Sequence, residues 1–193
     1  MRDIDIRQAL LEKMGRLHNG DSDTLIVEEL GLCQGAARVD VAVVNGSMHG
    51  YEIKSECDTL FRLPGQANIY NRTLDFVTIV TAPSHANAIR KIVPHWWGIW
   101  SAIQKDNEMM LNKVRASRKN PSIDPFALAQ LLWREEALQS LIDLGLGTGL
   151  RSKSREILWS RLAVELTVRE LGDIVRQHLK RRGSTWRSPS LQA

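Results

Sequence analysis

Residues 38–55 read Arg38-Val39-Asp40-Val41-Ala42-Val43-Val44-Asn45-Gly46-Ser47-Met48-His49-Gly50-Tyr51-Glu52-Ile53-Lys54-Ser55. The runs 38–45 and 50–55 are short, rich in β-branched or aromatic side chains, and broken by Asn45-Gly46 and Gly50, the pattern of two strands joined as a hairpin. Side chains alternate along a strand, so Val39, Val41 and Val43 share one face while Asp40, Ala42 and Val44 share the other. In the second strand Tyr51 and Ile53 oppose Glu52 and Lys54. Each strand thus offers an apolar face to a core and a second face that carries its charges.

Directly opposed residues of an antiparallel pair share a face, so Asp40 joins Glu52 and Lys54 only if paired residue numbers sum to an even value. A two-residue Asn45-Gly46 turn would pair Val44 with Ser47 and set Asp40 beside Tyr51. For Asp40 to join Glu52 and Lys54, the connection is therefore expected to have three or five residues, or a bulge near Gly46 to Gly50, despite the Asn-Gly hairpin signal. In that register Asp40 and Glu52 can hold a hard divalent cation through oxygen, and Lys54 can steady an attacking water.

Upstream, Asp21-Ser22-Asp23-Thr24 offers N-caps for a short helix, 25–30, closed by Gly31. On a helical wheel its apolar direction lies near Ile26 and Leu30. Glu29 falls about 70° from that direction and Glu28 nearly opposite, so Glu29 is the better inward-pointing acid, with Glu28 as the fallback. Downstream, Pro64 suits the first turn of a helix that stacks Gln66 and Tyr70 on one face.

The set Asp40-x(11)-Glu52-Ile53-Lys54, preceded by an acidic helix, resembles the PD-(D/E)XK nuclease superfamily, with Val39 where the family's proline would stand. Gln66 and Tyr70 resemble the Q-x-x-x-Y motif of its RecB-like and exonuclease branches. The chain is similar to a small bacterial branch in which this block is followed by a helical tail. The resemblance covers roughly half the chain. It implies a restriction-endonuclease-like core and a Mg²⁺-dependent (or Mn²⁺-dependent) endonuclease or exonuclease acting on DNA. Asp40, Glu52 and the main-chain carbonyl of Ile53 would hold the metal, and Glu29 would complete the set directly or through water. Lys54 would position the water and Gln66 would orient a phosphate or a metal-bound water. Arg62 and Tyr70 are candidate nucleic-acid contacts, a packing role for Tyr70 being the competing reading. Many enzymes of this type cut as dimers, so a homodimer is open, as are RNA in place of DNA, strandedness and pathway. The alternative reading is an inactive nuclease-like module that binds DNA or regulates.

The flanking sequence continues the α/β alternation. Asp75 to Thr81 reads as a buried strand, Ser84 to Ile92 as a helix, Trp97 to Ile103 as a strand, and Asp106 to Arg115 as its hairpin partner. The expected fold class is α/β, a mixed central sheet with flanking helices, divided into a core at 1–116 and a helical basic region at 117–193. Helical segments are expected at 124–132, 134–144, 154–166 and 168–181, with a capping box at Thr167 to Glu170. His49 reads as a residue of the hairpin connection, and Trp97 and Trp100 as core.

Segment 151–187 holds ten Lys or Arg against four acids, a net +6 in a chain whose total is +4. That asymmetry suits a phosphate-contacting surface, with Arg151, Lys153 and Arg155 as its leading candidates. The stretch from Gly183 to Ala193 reads as a frayed tail. The chain shows no run of 18 apolar residues and no charged-then-apolar leader, so the expectation is a cytoplasmic protein with no membrane partner. Cys33 and Cys57 lack ligand spacing and read as reduced thiols.

Overall fold

In the computed structural model, which describes residues 2–106 and 108–183, strands β1 (Leu25–Leu32), β2 (Ala37–Val44) and β3 (Met48–Lys54) form an antiparallel meander. Helix α2 (Leu63–Thr73) crosses over to β4 (Phe76–Thr81), which lies parallel to β3, and α3 (Ala86–Ile92) leads to β5 (Gly98–Lys105), parallel to β4. Strand β6 (Glu108–Arg115) closes the sheet as an antiparallel hairpin on β5, giving the spatial order β1-β2-β3-β4-β5-β6. The fold is α/β, a six-stranded mixed sheet with helices on both faces.

Helix α1 (Asp3–Leu17) covers one face. Its buried stripe Ile6, Leu10 and Met14 recurs every fourth residue and packs on Val41, Val43, Tyr51, Ile53, Val80 and Trp100. The other face is covered by α2 and by α4 (Pro125–Ala129), α5 (Arg134–Asp143), α6 (Arg155–Glu165) and α7 (Val168–Arg182). Leu128, Leu141, Trp159, Leu171 and Val175 from these helices join Ala42, Val44, Ile79 and Ile99 of the sheet in one apolar cluster. The expected boundary at 116/117 therefore divides the sequence but not the core. Thr167 caps α7 by accepting the Glu170 N–H, and Glu170 returns the bond by accepting the Thr167 N–H at 2.9 Å.

Segment 25–30 is strand, not the expected helix. Val27 faces the same cluster as Leu30 and Leu32, and Ala42 the same cluster as Val39, so the alternation slips by one residue in both β1 and β2. The slip sits at Glu29, whose φ of 59° is left-handed, and at the Asp40 position opposite it. A strand that skips one step spaces its buried residues by two, three and two, which imitates a helical stripe. Residues 184–193, including Arg187 and all of the expected frayed tail but Gly183, lie outside the described residues. No helix among the described residues is long and apolar enough to cross a membrane.

Candidate functional site

The β2–β3 ladder pairs Val44 with Met48 and Val41 with Tyr51, the even-sum register, across a three-residue connection at 45–47. Asn45 N–H donates to the Ser47 carbonyl at 3.0 Å to close it. The rungs stop at Val41–Tyr51, so Asp40 and Glu52 lie just beyond the last pair, where β2 leaves β3. At that point the Asp40 side chain replaces the missing main-chain acceptor, and Ile53 N–H donates to its Oδ2 at 2.7 Å. The Ile53 carbonyl points toward the same gap, since N–H and C=O of one strand residue face the same neighbour.

Arg7 of α1 reaches the other oxygen of Asp40. Its Nη2 lies 2.8 Å from Asp40 Oδ1, and its Nη1 lies 2.9 Å from Glu29 Oε1 and 4.0 Å from Glu28 Oε2. Glu29 is thus gathered to Asp40 through a guanidinium, and more tightly than Glu28. Burial, then the charge of Glu52, push the Asp40 carboxyl up to about 7, against the opposing pull of the Ile53 N–H and Arg7.

Glu52 is 1 % exposed and fully engaged. Lys54 Nζ and Gln66 Nε2 donate to its Oε1 at 2.6 and 2.7 Å. The Tyr70 hydroxyl lies 2.6 Å from Oε2 and 2.7 Å from the Arg38 carbonyl, with one proton for the two acceptors. Burial and the adjacent Glu52 charge raise that phenol far above its ordinary range. Gln66 Oε1 is buried and has no partner among the described residues. Rotating the amide would aim that oxygen at the carboxylate, so a lone pair is left for a donor that is not part of the chain.

Among the described residues no three His, Cys, Asp or Glu side chains cluster so as to hold a metal ion. The donor set is two carboxylates and a carbonyl. It nonetheless fits a single hard cation. Burial and the charge of Glu52 raise the proton affinity of Asp40 even with Arg7 beside it, and the orphaned buried acceptor Gln66 Oε1 stands by Glu52 to take a donor such as a cation-bound water.

These elements lie within a stretch that has known relatives: the family model described as bacteriophage P4 protein cII matches residues 1–188. The chain belongs to that family. Protein cII of Enterobacteria phage P4 is 28% identical over 169 residues, covering 85% of this chain and 62% of that protein, so the chain spans less than two thirds of its relative. A solved structure of a protein of unknown function from Silicibacter pomeroyi shares 18% identity at a TM-score of 0.40, covering 72% of this chain and 87% of that one. The match to the cII family spans every site residue named here.

Within this cII family member, Lys54 and Gln66 meet on Glu52, and Asp40 reaches the adjoining Ile53 N–H. Tyr70 does not serve as a backbone contact: it is 0 % exposed, stacked on Trp97 and spent on Glu52. Arg62 is exposed at the residue preceding α2. His49 lies within β3, not in the connection, stacked on Tyr51 and 2.8 Å from the Thr78 hydroxyl, with burial holding its imidazole down to about 4. Arg7 escaped the sequence reading. The stripe Ile6, Leu10, Met14 and the pair Asp3–Arg7 were the signals that could have found its helix.

Arg151, Lys153 and Arg155 are exposed, Arg155 beside Glu156 and over the Trp159 ring. Other charges of the basic segment hold the fold together. Arg176 reaches Asp75 and Asp173, Lys180 reaches Asp23, and Arg182 is bound by Glu136 and lies over Trp133.

Proposed function

We propose that this chain is a metal-dependent nuclease that hydrolyses phosphodiester bonds of DNA. The observation that carries the reading is the departure of β2 from β3 at Asp40. It leaves Asp40, the Ile53 carbonyl and Glu52 around one gap, with Lys54 on Glu52 and the free Gln66 Oε1 beside them. Asp40, the Ile53 carbonyl and Glu52 would hold Mg²⁺ or Mn²⁺, and Glu29, which shares Arg7 with Asp40, would complete the set directly or through water. When bound, the ion would lower the pKa of a water and offset charge on the reacting phosphate.

The remaining work falls to the chain itself. Lys54 offers a proton donor where charge develops, and Glu52 holds that ammonium in place at 2.6 Å. Gln66 anchors Glu52 with its amide N–H and accepts from the incoming nucleophile or a nucleotide group with Oε1. Tyr70 fixes the second oxygen of Glu52, so the carboxylate cannot turn. Arg7, 13% exposed, holds Asp40 from the α1 side and is within reach of a phosphate oxygen entering the gap.

A second reading, a nuclease-like module that binds DNA without cutting it, is favoured by one observation. Both oxygens of Glu52 are already taken, and Arg7 occupies Asp40. Incubation with linear, circular and single-stranded DNA in Mg²⁺, Mn²⁺ or EDTA separates the two. Cleavage that EDTA stops supports the nuclease. Binding without cleavage in any ion supports the module.

A further inference from the structure

Both carboxylates of the site are engaged by groups of the chain itself. Asp40 accepts from the Ile53 N–H at Oδ2 and from Arg7 Nη2 at Oδ1, at 2.7 and 2.8 Å. Glu52 accepts from Lys54 and Gln66 at Oε1 and from the Tyr70 hydroxyl at Oε2. A divalent cation shared by Asp40 and Glu52 must therefore compete with at least one of these groups.

These contacts are not equally able to yield. The Ile53 N–H belongs to the main chain of β3, and Lys54 and Tyr70 are buried. Arg7 has other acids to hold. Its Nε lies 3.3 Å from Asp3 Oδ1 and its Nη1 2.9 Å from Glu29 Oε1, with Glu28 Oε2 at 4.0 Å. The side chains of Asp3, Glu28 and Glu29 are 44, 43 and 33 % exposed, against 18 % for Asp40. The guanidinium thus spans a largely buried acid on one side and three solvent-facing acids on the other. Turning outward breaks its bonds to Asp40 Oδ1 and to the Asp40 carbonyl, the latter at 3.1 Å, and leaves it among acids. Helix α1 stays seated on the sheet through Ile6, Leu10 and Met14, so the motion belongs to one side chain.

We infer, on the metal-site reading of Asp40 and Glu52, that Arg7 is an exchangeable counterion of the site, seated on Asp40 until a divalent cation displaces it toward Asp3, Glu28 and Glu29. A cation and a guanidinium on the same carboxylate are like charges at close range, and in a partly buried site their repulsion is weakly screened. Coupling between two ligands is reciprocal, so each weakens the other's hold on Asp40. Removing the guanidinium must then tighten the cation. Loss of a residue that only supports the site's shape would loosen it.

The test is calorimetric titration of the full chain with Mn²⁺ in wild type, Arg7→Gln, Arg7→Lys and Asp40→Asn, without DNA. Arg7→Gln should bind Mn²⁺ about tenfold or more tightly than wild type. Arg7→Lys keeps the charge and should stay closer to wild type. Urea unfolding gives a second readout if Arg7→Gln folds less stably: adding Mn²⁺ should raise its midpoint by more than that of wild type. Equal or weaker Mn²⁺ binding by Arg7→Gln, or binding by Arg7→Lys as tight as that of Arg7→Gln, overturns the exchange and leaves the metal site standing. Mn²⁺ that binds neither wild type nor Arg7→Gln, or binds Asp40→Asn as well as wild type, defeats the metal site itself and the exchange with it.

Discussion

Asp40 carries two opposed demands. Its carboxylate closes the ladder where β2 leaves β3, yet burial and the neighbouring Glu52 make its charge costly, pushing the group up to about 7 from an ordinary 3.8. A carboxyl whose folded pKa is raised binds more protons folded than unfolded between those two values. Its contribution is therefore fully present below about pH 4 and is lost as pH rises through about 7. Asp40→Asn should accordingly be more stable than wild type at pH 8, by a few kcal/mol at most, with the difference shrinking toward pH 4. Urea unfolding across that range measures it. If the site takes a divalent ion, Mn²⁺ should raise wild-type stability at pH 8 and leave Asp40→Asn unmoved. Lys54→Ala should abolish cleavage while DNA affinity stays nearly intact, because one lysine at the chemical step adds little to a surface of many phosphate contacts. An equal loss of binding and cleavage would move Lys54 from chemistry to substrate binding.

At the scale of elements, the slip in β1 and β2 brings α1 and the hairpin to the same spot. Glu29 pays for it with a left-handed backbone that favours glycine. Glu29→Gly should therefore be more stable than Glu29→Ala by about 1 kcal/mol, although both lose the contact with Arg7. Equal unfolding midpoints would show that the strand relaxes when the carboxylate is gone. The hairpin and its even register were legible once Asp40 was required to meet Glu52, but the expected period of two failed at Asp40, where the slip puts Val39 on the face of Ala42 and Val44 and not on that of Val41 and Val43. Strand β1 was not, because skipping one residue turns a strand's burial pattern into the spacing of a helix wheel. Tyr70 was half legible. Its place beside Gln66 followed from a four-residue step, but whether it meets solvent or Glu52 depends on the sheet beneath it. Arg7 lies 33 residues from Asp40 along the chain, and no local pattern joins them.

At the scale of the molecule, the C-terminal helices complete the core on which α2, with Gln66 and Tyr70, is seated. Leu171, Val175 and Leu179 of α7 are buried with Leu128 and Trp159 in the cluster that also holds Tyr70 and Ile79. Ion pairs fasten α7 to the rest, Lys180 to Asp23 and Arg182 to Glu136. Removing everything after residue 116 would uncover the sheet face under α4 to α7, where each large aliphatic side chain contributes about 1.5–3 kcal/mol by burial. Against a typical total of roughly 5–15 kcal/mol for a whole domain, losing several such groups exceeds what a fragment can absorb. The full chain should therefore unfold in one transition, with tryptophan fluorescence from Trp97 in the sheet region and Trp159 in α6 lost together in single-tryptophan variants. A fragment of residues 1–116 should give collapsed amide dispersion and no cleavage. A well-dispersed fragment spectrum, or two separated fluorescence transitions, would mean that the sheet and the C-terminal helices are independent folding units. The site would then be held by the hairpin, α1 and α2 alone.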